Sequence, residues 1–360
     1  RKTISVPILN AGNHTPETAV ELIESGDADF VMMGRPLIAD PHIVNKLIEN
    51  RRDEIRPCIR CNEDCIGRII TRLTKISCSV NPVACFEKRI EMKKTENPKK
   101  VVVIGGGPGG MEAARTAALK GHRVSLYEKD KALGGQLKSA ATPDFKSQLR
   151  ELVEWYKRQL ELLNIEVHLN SEINEDNPVL KDADYIIVAT GAVPIMPEIS
   201  GIENAVDIIS AHIYPEKLKG DRIVYCGGGL SACDSALETA QKGKKTVIIE
   251  MLEHIAANDH FINRAALFPL LSKYGVEIYT NHTVSEIKKD GVKAINIDGK
   301  EVFITADTVV SSFGMKPYNE TAKKIDEKYH LKTRIIGDCE KIRKVGGAVR
   351  EGFYAALTLD

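Results

Sequence analysis

Two stretches of this 360-residue chain repeat one pattern: VVVIGGGPGGMEAARTAALKGHRVSLYE from Val101 and RIVYCGGGLSACDSALETAQKGKKTVIIE from Arg222. Each reads as an apolar strand, a glycine loop, a helix and a second apolar strand. The strands are continuous apolar runs, as expected of parallel sheets covered on both faces. This sets the fold class as α/β, with two Rossmann-like dinucleotide-binding units.

The first loop carries Gly105-x-Gly107-x-x-Gly110 between a strand and a helix. One glycine allows the tight turn, one admits a pyrophosphate close to the backbone, and one lets helix and strand pack closely. Free N–H groups and the helix dipole favour phosphate at the helix start. The next strand ends in Glu128, a carboxylate able to accept from an adenosine ribose. The second loop has Gly227-x-Gly229-x-x-Ala232, and its following strand ends in Glu250. An acid there accepts the 2′-hydroxyl of NADH and repels the 2′-phosphate of NADPH, so NADH is the expected nicotinamide.

Four of the eight cysteines fall in RPCIRCNEDCIGRIITRLTKISCSVNP, at Cys58, Cys61, Cys65 and Cys78. The spacing is C-x2-C-x3-C-x12-C. Zinc ribbons usually show two C-x2-C knuckles. Three close thiols and a distant fourth fit a 4Fe–4S cluster better, because a tight loop can wrap three corners of it. Zinc and ordinary buried cysteines are the alternatives. Cys85 and Cys339 are left outside the site, with Cys85 expected to be structural. Cys226 and Cys233 are spaced unlike a C-x-x-C redox pair, and are expected to be packing residues.

Acidic and basic residues balance, for a formal net charge of zero, which argues against nucleic acid or a membrane surface as partner. No apolar run approaches the roughly 20 residues needed to span a bilayer. The chain opens RKTISVPILNAG, which reads as a strand rather than a leader. Clustered thiols point to a reducing compartment, so a cytoplasmic location is expected. Residues 1–50 read as two strands, ISVPILNAG and ADFVMMG, joined by a helix with Thr15 as N-cap and Pro16 in its first turn. KRIEMKKTENPKK reads as a linker. Elsewhere helices alternate with strands, and the final segment reads as strand, Gly-Asp loop and helix.

The sequence GGGPGG, Glu128, LGGQL, VATG at Val188–Gly191, GGGLSA and Gly337-Asp338 resembles the two-dinucleotide flavoprotein oxidoreductases. That resemblance implies FAD on Gly105, Gly107, Pro108, Gly110, Glu128, Gly135, Gln136, Thr190, Gly191, Gly337 and Asp338. It implies NAD on Gly227, Gly229, Ala232 and Glu250, in a unit inserted into the FAD unit. No cysteine pair follows LGGQL, so disulfide reduction is not expected.

With the cysteines in front, the chain resembles more narrowly the NADH:flavin oxidoreductases of the 2,4-dienoyl-CoA reductase, 2-enoate reductase and trimethylamine dehydrogenase family. The implied layout has five parts. Residues 1–50 are the last two units of an FMN-binding (β/α)8 barrel, and 51–98 are the iron–sulfur segment and linker. Residues 99–204 open the FAD unit, 205–315 are the inserted NAD unit, and 316–360 return to the FAD unit. Gly12 and Gly34 would hold the FMN phosphate by backbone N–H and Arg35 by charge. Asn13 stands where many relatives have arginine. His14, next to it, is expected to be a loop histidine rather than a base. Two units cannot close a barrel of about 250 residues, so a fragment of a larger polypeptide is expected, with FMN absent or weakly held.

The implied route runs from NADH to FAD, which divides the electron pair, then to 4Fe–4S and FMN. It ends at an activated C=C bond of a 2-enoate, a 2,4-dienoyl-CoA or a steroid or bile-acid enone. The competing readings are an amine dehydrogenase and an electron-transfer module serving a partner subunit. A homo-oligomer is expected. No catalytic acid or base is assigned within this chain.

Overall fold

The computed structural model describes residues 4–360, Arg72 by its backbone alone. Two five-stranded parallel sheets dominate it, and the α/β class with two Rossmann-like units is borne out. The first orders its strands Thr333–Ile335, Tyr185–Val188, Lys100–Ile104, Arg123–Tyr127 and Glu166–His168. The second orders them Glu277–Tyr279, Lys245–Ile249, Arg222–Cys226, Thr308–Ser311 and Val206–Asp207. Val101, Val102 and Val103 in one sheet and Val224 and Tyr225 in the other are fully buried. Helices cover both faces, which is why these strands carry unbroken apolar runs.

The chain leaves the first sheet after Val188 and returns to it at Thr333. The terminal helix Val345–Leu357 then packs on the helix Pro108–Leu119. A Cβ at Gly352 would lie 2.1 Å from the Gly109 carbonyl oxygen, so these helices meet backbone to backbone. Between the units, Ala192–Pro194 and Met315–Pro317 form a two-stranded antiparallel crossing.

Strands and helices do not alternate throughout. His282–Lys288, Gly291–Asn296 and Glu301–Thr305 form an antiparallel sheet. Asp290-Gly291 and Asp298-Gly299 lie at its two turns. Asp-Gly is a strong hairpin signal; Gly299 takes φ 78° in its turn, whereas Gly291 opens its strand, where a Cβ would lie 2.4 Å from the Ile304 carbonyl oxygen.

At the front, Leu9–Ala11 and Phe30–Met32 pair in parallel. They are shorter than their apolar runs, because two strands alone offer little to bury. Leu9, Phe30 and Met32 are 55%, 58% and 51% exposed. The helix between them, Pro16–Glu24, has its expected cap: Thr15 and Thr18 exchange side chain-to-backbone bonds. Asp40 ties this piece to the next, accepting from Lys46 Nζ at 2.6 Å and from the Arg56 N–H at 2.8 Å. Among the described residues no helix is long and apolar enough to cross a membrane.

Candidate functional site

Gly105, Thr190 and Gly337 follow three neighbouring strands of the first sheet at their carboxyl ends, where open α/β sheets bind ligands. Gly105 takes φ 108°, and a Cβ there would lie 2.3 Å from the Ala189 carbonyl oxygen. Gly110 is tighter, with its Cβ position 1.9 Å from the Gly105 carbonyl oxygen. Gly107 opens the helix and its Cβ direction is nearly clear, leaving room for a ligand beside Pro108. Glu128 is buried, accepting the Gly106 N–H at 2.6 Å and the Asp130 N–H at 2.8 Å.

The other residues of the expected FAD set close around this loop. Gly135 sits against Gly107, and a Cβ on it would lie 2.9 Å from the Gly107 Cα. Gln136 Nε2 donates to the Ala192 carbonyl at 2.8 Å, beside Gly191. Thr190 Oγ1 donates to the Tyr318 carbonyl at 2.7 Å. The Gly337 N–H is held by Glu351 at 2.7 Å. Half-buried Asp338 accepts the Arg343 N–H at 2.9 Å; burial raises its pKa, against the opposing pull of Arg343.

The second loop repeats this construction. Gly227 has φ 101°, and its Cβ position is 2.2 Å from the Ser312 carbonyl oxygen. Glu250 accepts the Gly228 N–H at 2.6 Å and the Leu252 N–H at 2.8 Å. Gly229 opens the helix Leu230–Gln241 into clear space, and Ala232 stands fully buried at the place of Gly110.

Cys58, Cys61, Cys65 and Cys78 line one pocket together with Arg35, Ile38 and Asn62. Burial pushes the Cys58 and Cys61 thiols up and the Cys78 thiol up to about 11. Four thiolates in such a place require positive charge beside them, which a bound metal centre supplies. Zinc with Zn–S near 2.3 Å would draw tetrahedral sulfurs to roughly 3.8 Å apart. Among the described residues no three of these sulfurs lie within 4.8 Å of one another. Cys226, Cys233 and Cys339 are buried packing residues, whereas Cys85, expected to be structural, is exposed at φ 67°.

Gly12 and Gly34 leave the paired front strands at one edge, both exposed. Arg35 lies between this edge and the cysteine pocket, donating to Asn62 Oδ1 at 2.6 Å and to Asn13 Oδ1 at 3.3 Å. Among the described residues His14 Nε2 is bonded to Asn10 Oδ1, at 2.8 Å.

Residues 99–339 match the pyridine nucleotide-disulphide oxidoreductase family. The chain belongs to that family. Its likeness to individual oxidoreductases extends forward through the cysteines. The NADH oxidase of Thermoanaerobacter brockii is 38% identical over 99% of this chain and 56% of its own length. The cinnamate reductase of Clostridium sporogenes is 35% identical over 100% of this chain and 54% of its own. The structure of a 2-naphthoyl-CoA reductase bound to 2-naphthoyl-CoA matches with a TM-score of 0.92 at 32% identity, over 99% of this chain and 55% of that one. The chain thus spans about half the length of the relatives it matches. These similarities agree with the narrower resemblance that the cysteine segment and glycine loops suggested.

Sequence reasoning missed the residues that join the two parallel-sheet units to the cysteine loop. Asn62 Nδ2 donates to Asn263 Oδ1, and Asn263 Nδ2 donates to the Cys61 carbonyl, both at 3.2 Å. Lys344 Nζ bridges Glu63 at 2.7 Å and Asp259 at 2.9 Å. One local signal was available: Asn62 has φ 57°, and asparagine tolerates the left-handed region better than most residues.

Proposed function

We propose that this chain is the electron-input part of an NADH-dependent flavin oxidoreductase of the enoate-reductase type. FAD belongs on the first glycine loop with Glu128, Gly135, Gln136, Thr190, Gly191, Gly337 and Asp338. The nicotinamide nucleotide belongs on the second loop, where the half-buried carboxylate of Glu250 favours NADH over NADPH. A 4Fe–4S cluster belongs on Cys58, Cys61, Cys65 and Cys78. When bound, FAD supplies hydride acceptance, the cluster supplies one-electron transfer, and FMN on a barrel whose last two units carry Gly12, Gly34 and Arg35 supplies reduction of an activated C=C bond. The substrate is an enoate, dienoyl-CoA or enone.

The observation that carries this reading is the convergence of four thiols on one pocket in a chain with two matched glycine loop–acid pairs. Within the chain, protein groups bind and orient. Backbone N–H groups face the phosphates, Glu128 and Glu250 brace their loops, and the cysteines supply negative donors. The test is anaerobic isolation with iron, sulfide, zinc and flavin measured together, followed by NADH titration of the flavin absorbance. Iron and sulfide near four per chain, FAD, and bleaching by NADH are expected. Zinc in place of iron, or flavin untouched by NADH, overturns the reading.

A further inference from the structure

The two dinucleotide units meet at a seam beside both glycine loops. One side is the segment following Gly135-Gln136, from the helix Leu137–Ala140 to Lys146. The other is the helix Leu230–Gln241, opened by Gly229, with the helix Ile208–Ile213. Across the seam Lys146 Nζ lies 3.0 Å from Asp234 Oδ2, and the Asp234 side chain is 14% exposed. Beside it Thr142 Oγ1 and His212 Nδ1 are 3.1 Å apart, and His212 Nε2 is 3.3 Å from the Ser231 carbonyl oxygen. Burial lowers the His212 pKa. The neutral ring then donates from Nε2 to Ser231 and accepts the Thr142 hydroxyl at Nδ1.

The repeat shows why this pair is unusual. Asp234 occupies the place that Glu112 occupies in the first copy. Glu112 is fully buried and served within its own unit, by Tyr156 Oη at 2.9 Å and by Thr116 Oγ1 and Arg115 Nη1 at 3.3 Å each. In the second copy the acid takes its cation from the other unit instead. A carboxylate withdrawn from water needs such a partner, and a pair spanning a seam fixes register as well as charge. Asp234 is the fifth residue of its helix, about one turn from the loop that would receive a pyrophosphate.

We propose that the Lys146–Asp234 bridge, backed by Thr142 and His212, sets the distance and tilt of the nucleotide unit against the flavin unit. Lys146 and Asp234 are thus positioning residues for hydride transfer. This rests on FAD and NADH occupying the first and second loops as proposed above. In the transfer a C–H bond of the reduced nicotinamide breaks, a bond to the flavin forms, and the hydride carries both electrons. The bridge gives up no atom.

The test uses the full chain loaded with FAD, as Lys146→Met, Asp234→Asn, Thr142→Val, Lys146→Arg and the exchanged pair Lys146→Asp/Asp234→Lys. Three quantities are measured: the rate of flavin reduction by NADH, the affinity for ADP-ribose, which lacks the nicotinamide, and amide exchange over 137–146 and 230–241. Lys146→Met and Asp234→Asn should slow flavin reduction by about 10²-fold, the size of effect that misplacement brings. Amide exchange should rise on both sides of the seam, with ADP-ribose affinity unchanged. Thr142→Val should fall between these variants and the parent, Lys146→Arg should keep the rate, and the exchanged pair should regain part of it. An unchanged rate in the first two variants overturns the proposal. So does a parallel loss of ADP-ribose affinity, which would mark a merely structural pair. If NADH fails to bleach the flavin of the unaltered chain, the assignment of the two loops has failed, and the bridge's role fails with it.

Discussion

The Gly228 N–H donates to Glu250 Oε2 at 2.6 Å, as the Gly106 N–H donates to Glu128 Oε2 at the same distance in the other unit. On the proposed reading each acid has two tasks, bracing its glycine loop and facing the ribose of a bound nucleotide. Glu250→Ala should remove both. It leaves the buried Gly228 N–H without its acceptor, a loss of about 1–3 kcal/mol, read as a lower melting temperature. It also removes the charge that repels a 2′-phosphate, so the preference for NADH over NADPH should shrink. Glu250→Gln keeps an acceptor oxygen, so it should keep most of the stability while relaxing nucleotide choice. Thermal unfolding and parallel kinetics with the two nucleotides check both effects.

Gly110 and Ala232 hold equivalent places, and the structure distinguishes them. A Cβ on Gly110 would lie 1.9 Å from the Gly105 carbonyl oxygen, a backbone atom that cannot step aside. Gly110→Ala should force the helix from its strand, costing about 1–3 kcal/mol as overpacking does, and should lower FAD content. Ala232→Gly should leave flavin content unchanged and cost about 1–2 kcal/mol, through helix propensity and the loss of a buried methyl. Flavin absorbance per chain and melting temperature separate the two.

Much of this architecture was legible because glycine reports local geometry. Gly105, Gly110 and Gly227 each stand where a Cβ would strike backbone, so their spacing carries the turn directly. The antiparallel sheet was legible too, through Asp290-Gly291 and Asp298-Gly299, but the alternation of the repeats was extended over it. Other features leave no trace along the chain. Asn62 and Asn263 are 201 residues apart, and nothing near either marks the other as its partner. Nothing near Lys146 or Asp234 in the sequence marks either as the other's partner. Long-range polar pairing depends on how the units dock, which local periodicity does not encode.

Asp40 sets an acid limit on how the front piece is held. Burial raises its pKa, but the Lys46 ammonium and the N–H groups of Arg56 and His42 outweigh that and hold it below its ordinary 3.8. A carboxylate lowered in the folded state contributes stability above its unfolded pKa and loses it as pH falls through the folded value. Stability should therefore decline below about pH 4. Asp40→Asn should be less stable at neutral pH and should lose less on acidification. Chemical denaturation at stepped pH values tests this.

The cysteine pocket makes a prediction about reactivity. Burial pushes the Cys78 thiol up to about 11, whereas Cys85 lies exposed on the surface. Alkylation proceeds through the thiolate, so a half-buried thiol with a raised pKa reacts slowly. In chain stripped of iron at neutral pH, a small alkylating reagent should label Cys85 well before Cys78. Loading iron and sulfide should release protons, because each ligand must ionise, and should then protect Cys58, Cys61, Cys65 and Cys78 while Cys85 stays reactive. Mass spectrometry of digests, with and without reconstitution, reads each cysteine separately. Equal labelling of Cys78 and Cys85 in both states would mean that these four thiols do not act together as a metal site.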